Sequence, residues 1–109
     1  MLTEKDYCDY DTRAELIRLG YPAYMYDNTE VDKILGAILL YEAQKWLREE
    51  KGIGITIYHG YYHDTRELFY DIEIYNTKHW LTTFGEFKDW NVALLEGIKE
   101  AIKILKEEK

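Results

Sequence analysis

The chain has 109 residues, a formal net charge of −7 and a single cysteine, Cys8. That length fits one domain, residues 1–109, with a core of its own; the lone cysteine excludes an intramolecular disulfide, and the surplus of acid opposes the phosphate contacts on which nucleic-acid binding depends. Composition is that of a globular protein, 47% hydrophobic and 32% charged, but 11 Tyr, 3 Trp and 3 Phe are more rings than one core needs, so some are expected at the surface.

The N-terminus, Met1-Leu2-Thr3-Glu4-Lys5-Asp6, has no basic segment running into an apolar one and does not read as a signal peptide. The longest apolar run, Ala37 to Tyr41, is too short to span a bilayer. The expectation is a cytoplasmic protein with no membrane partner.

A short first helix is expected, capped by Asp9 or Asp11, with Ala14, Leu16, Ile17 and Leu19 as its apolar side and a stop at Gly20 and Pro22. Tyr21 to Asn28 reads as an irregular, tyrosine-rich connection. Val31, Ile34, Leu35, Ile38, Leu39, Ala43, Trp46 and Leu47 then recur at helical spacing. They allow one helix from Glu30 to Glu50, or a break near Gly36 followed by a helix from Leu40; Lys51-Gly52 closes either.

Alternation follows. Ile53, Ile55 and Ile57 point one way and Gly54, Thr56 and Tyr58 the other, with a loop at Tyr61 to Arg66. A second strand places Leu68, Tyr70, Ile72 and Ile74 on one side and Phe69, Asp71, Glu73 and Tyr75 on the other. Asn76-Thr77-Lys78 is a hairpin turn, a third strand runs from about His79 to Thr83, and Phe84-Gly85-Glu86-Phe87 leads away. The last helix starts behind an Asp89 cap and carries a stripe of Ala93, Leu94, Gly97, Ile98, Ala101, Ile104 and Leu105. Gly97, costly inside a helix, marks its nearest approach to the sheet. The fold class is therefore α+β: a short N-terminal helix, then α-β-β-β-α, with a three-stranded antiparallel sheet and the main helices on one face.

No sequence pattern singles out a reaction. His59, His63 and Asp64 offer metal-ligand chemistry, but a spacing of four aligns two imidazoles only on a helix, and this segment is strand and loop. His79 lacks a partner that spacing identifies as a general base or acid. The acid beside Cys8, Asp9, raises the thiol's pKa rather than activating it. Trp46 and Trp90 read as core. No metal, cofactor or catalytic residue is assigned. The candidate surface is the second face of the sheet, where Tyr58, Phe69 and Tyr75 join Thr56, Asp71 and Glu73. Such a face serves as a platform for a protein partner, or its aromatic pairs serve only to stabilise the sheet. The uncharged, β-branched first strand is also an open edge, which suggests a homodimer, or a monomer if the Tyr21–Asn28 connection lies over that edge.

Three segments carry a resemblance. Tyr41-Glu42-Ala43-Gln44-Lys45-Trp46-Leu47-Arg48-Glu49, leading into Gly52-Ile53, resembles the "eAQKWLRE…GI" segment of small uncharacterised proteins from gut Bacteroidetes and their phages and mobile elements. Trp90 to Ile98 is similar to their "YEEALEAGI" helix, and Ala14 to Pro22 to their "LKELGFP" segment. The chain departs at Ile38, where those proteins often carry a proline. The resemblance implies a bacterial or phage origin and transfers no functional residue. The function expected is that of a non-catalytic accessory or protein-interaction domain, with an unidentified protein partner or a second copy. The alternatives are an acidic nucleic-acid mimic that blocks a DNA-binding protein, and a small enzyme with a His/carboxylate site.

Overall fold

The computed structural model describes residues 4–22, 38–76 and 80–107. Three α-helices, α1 (Tyr10–Arg18), α2 (Leu40–Lys51) and α3 (Trp90–Glu107), accompany three strands, β1 (Ile53–Tyr61), β2 (Leu68–Asn76) and β3 (Trp80–Phe87). The strands form one antiparallel sheet in the order β1-β2-β3. The class is α+β in the order the periodicities predict.

Local chemistry sets the helix ends. Asp9 caps α1, its Oδ1 accepting from the Thr12 N–H at 2.8 Å. Asp89 caps α3 in the same way, accepting from the N–H groups of Asn91 at 2.8 Å and Val92 at 3.2 Å. Both satisfy donors that the first helical turn leaves without partners. Gly52 ends α2 in the left-handed conformation at φ 67°, which costs a glycine nothing. At the start of α2, Leu39 is extended, with ψ 142°. A continuous helix from Glu30 to Glu50 is therefore ruled out, and the alternative beginning at Leu40 holds. Ile38 and Leu39 pair instead with the N-terminal segment: the Cys8 N–H donates to the Ile38 carbonyl at 2.8 Å, and Tyr7 bridges Leu39. The Gly36 break, the Tyr21–Asn28 connection beyond Pro22, and Thr77-Lys78-His79 lie outside the described residues.

The core lies between one sheet face and the helices. Ile53, Ile55, Ile72 and Ile74 from the sheet meet Leu47 of α2 and Ala93, Leu94, Ile98 and Ala101 of α3, while Ile57 and Tyr70 pack at its margin. Leu16 of α1 is fully buried in the same cluster. Leu68, on the predicted apolar side of β2, lies beyond the helices and is exposed. Gly97 sits where α3 approaches the sheet most closely: a Cβ there would lie 2.8 Å from Ile55 Cγ2 and 3.2 Å from Ile72 Cγ2. Ile102, outside the predicted stripe, is also buried. It faces the groove between α3 and α1, so α3 buries a wider arc than its contact with the sheet alone requires.

Two expectations need correction. Phe84-Gly85-Glu86-Phe87 does not leave the sheet. The backbone bulges at Glu86, φ 70°, so that Gly85 pairs with Asp71 and Phe87 with Tyr70. The Asp71 carboxylate accepts from the Glu86 N–H at 2.8 Å and holds the bulge, and β3 gains four residues beyond the predicted end at Thr83. Trp90 is not core but 41% exposed. It is the first residue of α3, whose burial begins at Ala93. At that end Asn91 Nδ2 donates to the Lys5 carbonyl and to Asp6 Oδ1, both at 2.9 Å, tying down the 3-10 turn of Glu4–Asp6.

α1 and α3 are clasped by ion pairs, Lys99 with Asp9 at 3.3 Å and Lys106 with Glu15 at 3.1 Å. Partial burial works against the Asp9 charge, but the Thr12 hydrogen bonds and the Lys99 ammonium outweigh it and hold this carboxyl below its ordinary value. A carboxyl lowered by folding contributes stability above its unfolded pKa, near 3.8, and loses that contribution as pH falls through the lower folded value. The stability gap between wild type and Asp9→Asn is thus expected to be widest near neutral pH and to close below pH 3.8. Urea unfolding across that range measures it, and a gap independent of pH would refute the assignment.

Candidate functional site

Alternation places Gly54, Thr56, Tyr58 and Gly60 of β1 beside Tyr75, Glu73, Asp71 and Phe69 of β2 on the face opposite the core. No described helix packs on this face; α2 lies along β1 and α3 crosses the other side. The antiparallel register brings the three predicted aromatics onto one surface, and it divides their roles.

Phe69 and Tyr75 cover glycines. Phe69 is opposite Gly60 and Tyr75 opposite Gly54. A Cβ on either glycine would fall within 2.8 Å of the facing ring, 2.8 Å from Phe69 Cζ and 2.7 Å from Tyr75 Cζ. A ring laid over a glycine shields backbone that has no side chain of its own, a known device for stiffening a strand. These two rings therefore serve the sheet, as cross-strand pairs do. Phe69 also packs on Tyr62, ring centroids 4.9 Å apart. Tyr75 still leaves 41% of its surface to solvent.

Tyr58 has no glycine beneath it. It is 48% exposed, and its hydroxyl donates to Glu73 Oε1 at 3.2 Å. Partial desolvation, then the neighbouring Glu73 carboxylate, push its phenol above the usual range, so it stays protonated at neutral pH. The exposed Tyr58 and Tyr75 form one group with the half-buried Glu73, and Asp71 lies opposite Tyr58 at its border.

Around this group the sequence patterns give less. Tyr62, read only as loop, closes one end of the face; desolvation, then Glu86, push its phenol above the usual range, and its ring lies 5.6 Å from Lys88 Nζ. Gln44, unremarkable in sequence, donates from Nε2 to the Ile55 carbonyl at 2.8 Å and ties α2 to β1. Only a register spanning helix and strand reveals that bond. His59 and His63 are both exposed. Among the described residues there is no group of three or more His, Cys, Asp or Glu that could hold a metal ion; His79 lies outside them. Trp46 packs at the core margin, edge-on to Tyr21 at 5.3 Å. Burial first, and Asp9 second, push the Cys8 thiol up to about 12. The acid identified in the sequence acts in the expected direction but is the lesser cause, and the thiol is un-ionised at neutral pH.

A groove of about 590 Å³ lies between α1 and α3. Its rim sets the acids Asp9, Asp11, Glu15 and Glu107 against Lys99, Lys103 and Lys106, and Asp9 and Glu15 are paired with Lys99 and Lys106. With two of its acids already paired, the rim keeps an excess of one acid over base.

The arrangement defines an α+β fold with one sheet face packed by helices and the opposite face bearing aromatic and acidic side chains. Comparison with models of known protein families, with curated proteins and with solved structures finds no match. No helix among the described residues is long and apolar enough to cross a membrane.

Proposed function

We propose that this chain is a non-catalytic protein-interaction domain of the bacterial or phage cytoplasm, and that its working surface is the face of the sheet opposite the core. The observation that carries this reading is the pair of exposed tyrosines, Tyr58 and Tyr75, flanking Glu73 on the first and central strands. Tyrosines suit interfaces because each joins a large apolar ring to a hydrogen-bonding tip. Strands hold them in place, so little conformational entropy is lost on binding. The bacterial or phage setting rests on the sequence resemblance alone.

The test replaces Tyr58 with a photo-crosslinking phenylalanine analogue in cells and compares it with the same replacement at Tyr41, a tyrosine on α2 that is more accessible still, 57% exposed. Discrete protein adducts at position 58 and none at 41 are expected. Adducts at 41 alone, or at neither position, would remove the reading. An adduct between two copies of the chain would keep the face as the interface and make the partner a second copy.

A further inference from the structure

We infer that the open face of the sheet takes a lysine- or arginine-bearing segment of a partner protein, an inference that rests on the interaction reading above. The argument is one of charge and ring geometry. Asp71 and Glu73 stand two residues apart on the central strand and share this face. Directly opposite them on β1 are Tyr58 and Thr56, and on β3 Asp71 meets Gly85. Every charged residue among these eight β1 and β2 positions is an acid. Lys88, a cation at the border, is engaged by Glu67 at 3.2 Å and lies over Tyr62.

Two like charges on adjacent same-face positions repel, and a bound cation relieves that repulsion. The exposed tyrosines beside them present negative ring faces, which attract a guanidinium or ammonium and cover its aliphatic stem. Tyr58 donates one hydrogen bond to Glu73, which leaves the carboxylate's other lone pairs to accept from a partner's N–H groups.

Other occupants fit less well. Phosphate backbones and anionic lipid surfaces meet two carboxylates. A second copy packed by a two-fold axis would bring the Asp71 and Glu73 carboxylates of both copies into one interface, since such an interface uses one patch twice. A bare metal ion would find two carboxylates and no third ligand among the described residues and would leave the rings unused. A basic protein segment uses both the acids and the rings. Arginine is favoured over lysine, because its planar group both stacks on a ring and donates two parallel hydrogen bonds to one carboxylate.

The probe is a fluorescein-labelled peptide alternating arginine and serine, with a glutamate–serine peptide as its counterpart, followed by fluorescence anisotropy on the full chain. Binding of the arginine peptide is expected, weaker at about 0.5 M salt than at about 0.1 M. Glu73→Gln and Tyr58→Ala should each weaken it by about five- to tenfold. Glu50→Gln, the same charge change on the exposed end of α2, controls for attraction by net charge and should leave it unchanged. Melting curves verify that the variants fold; Tyr58, exposed, carries the test independently if Glu73→Gln is unstable. Three results would overturn the inference: equal weakening by Glu50→Gln, equal affinity for the glutamate peptide, or no binding of the arginine peptide. Any of these beside adducts at position 58 sinks the basic-segment inference alone, whereas loss of the adducts sinks the interaction reading with it.

Discussion

Ile72→Ala is expected to destabilise the protein by about 2–5 kcal/mol, the cost of lost burial plus the cavity left behind. Ile72 is fully buried on the central strand. It pairs with Ile57 of β1 and Phe84 of β3, and its Cγ2 sits under the point where α3 meets the sheet. Few neighbours can collapse into the space, because strands hold it on both sides and a helix crosses above. A domain of this size is stable by only about 5–15 kcal/mol, so the midpoint in urea should fall sharply with little change in slope. Glu73→Ala, one residue along on the other face, is the internal contrast and should cost far less. Because side chains alternate, a one-residue slip in register would exchange the two results. A variant at position 72 melting within a degree or two of wild type would mean that this strand is wrongly registered.

The strand faces are legible in sequence because period-two alternation is a local signal. Ile53-Ile55-Ile57 and Ile72-Ile74 declare their side without knowledge of their partners, and the stripe of α3 does the same at period 3.6. The caps at Asp9 and Asp89 are equally local. What escapes is whatever depends on contact between distant residues. Gly85-Glu86 reads as an exit from the sheet because glycine usually marks one. Pairing with Asp71 turns it into a bulge, and the residue that takes the left-handed conformation is Glu86, not the glycine. Gly85 is needed for a different reason: a Cβ there would collide with the Asp71 carboxylate and lie 2.7 Å from the Asp71 Cα. The same limit applies to the site. Tyr58, Phe69 and Tyr75 are assigned to one face by alternation. That Phe69 and Tyr75 roof Gly60 and Gly54, while Tyr58 stands over no glycine, follows only from the register of β1 against β2.

Gly97→Leu is expected to destabilise by about 3 kcal/mol or more, at the upper end of overpacking costs, and Gly97→Ala by about 1 kcal/mol despite its better helix propensity. Two opposing effects decide the alanine case. Glycine inside a helix costs about 1 kcal/mol relative to alanine, and Gly97 lies mid-helix with no positive φ to justify it. On propensity alone the alanine variant would be more stable. Against this, the added Cβ would lie 2.8 Å from Ile55 Cγ2 and 3.2 Å from Ile72 Cγ2. These methyls are not the free ends of long side chains. Each is one bond from its Cβ, on strands paired to each other, so relief requires α3 to lift from the sheet or the isoleucines to leave their preferred rotamers. Overpacking of that kind costs about 1–3 kcal/mol, enough to reverse the propensity gain. A double-mutant cycle isolates the contact. In an Ile55→Ala background, which removes the nearer methyl, Gly97→Leu should cost clearly less than in wild type. If Gly97→Ala raised the urea midpoint, or if the cycle showed no coupling, α3 would have to sit farther from the sheet than it does here, and Gly97 would have no role in its placement.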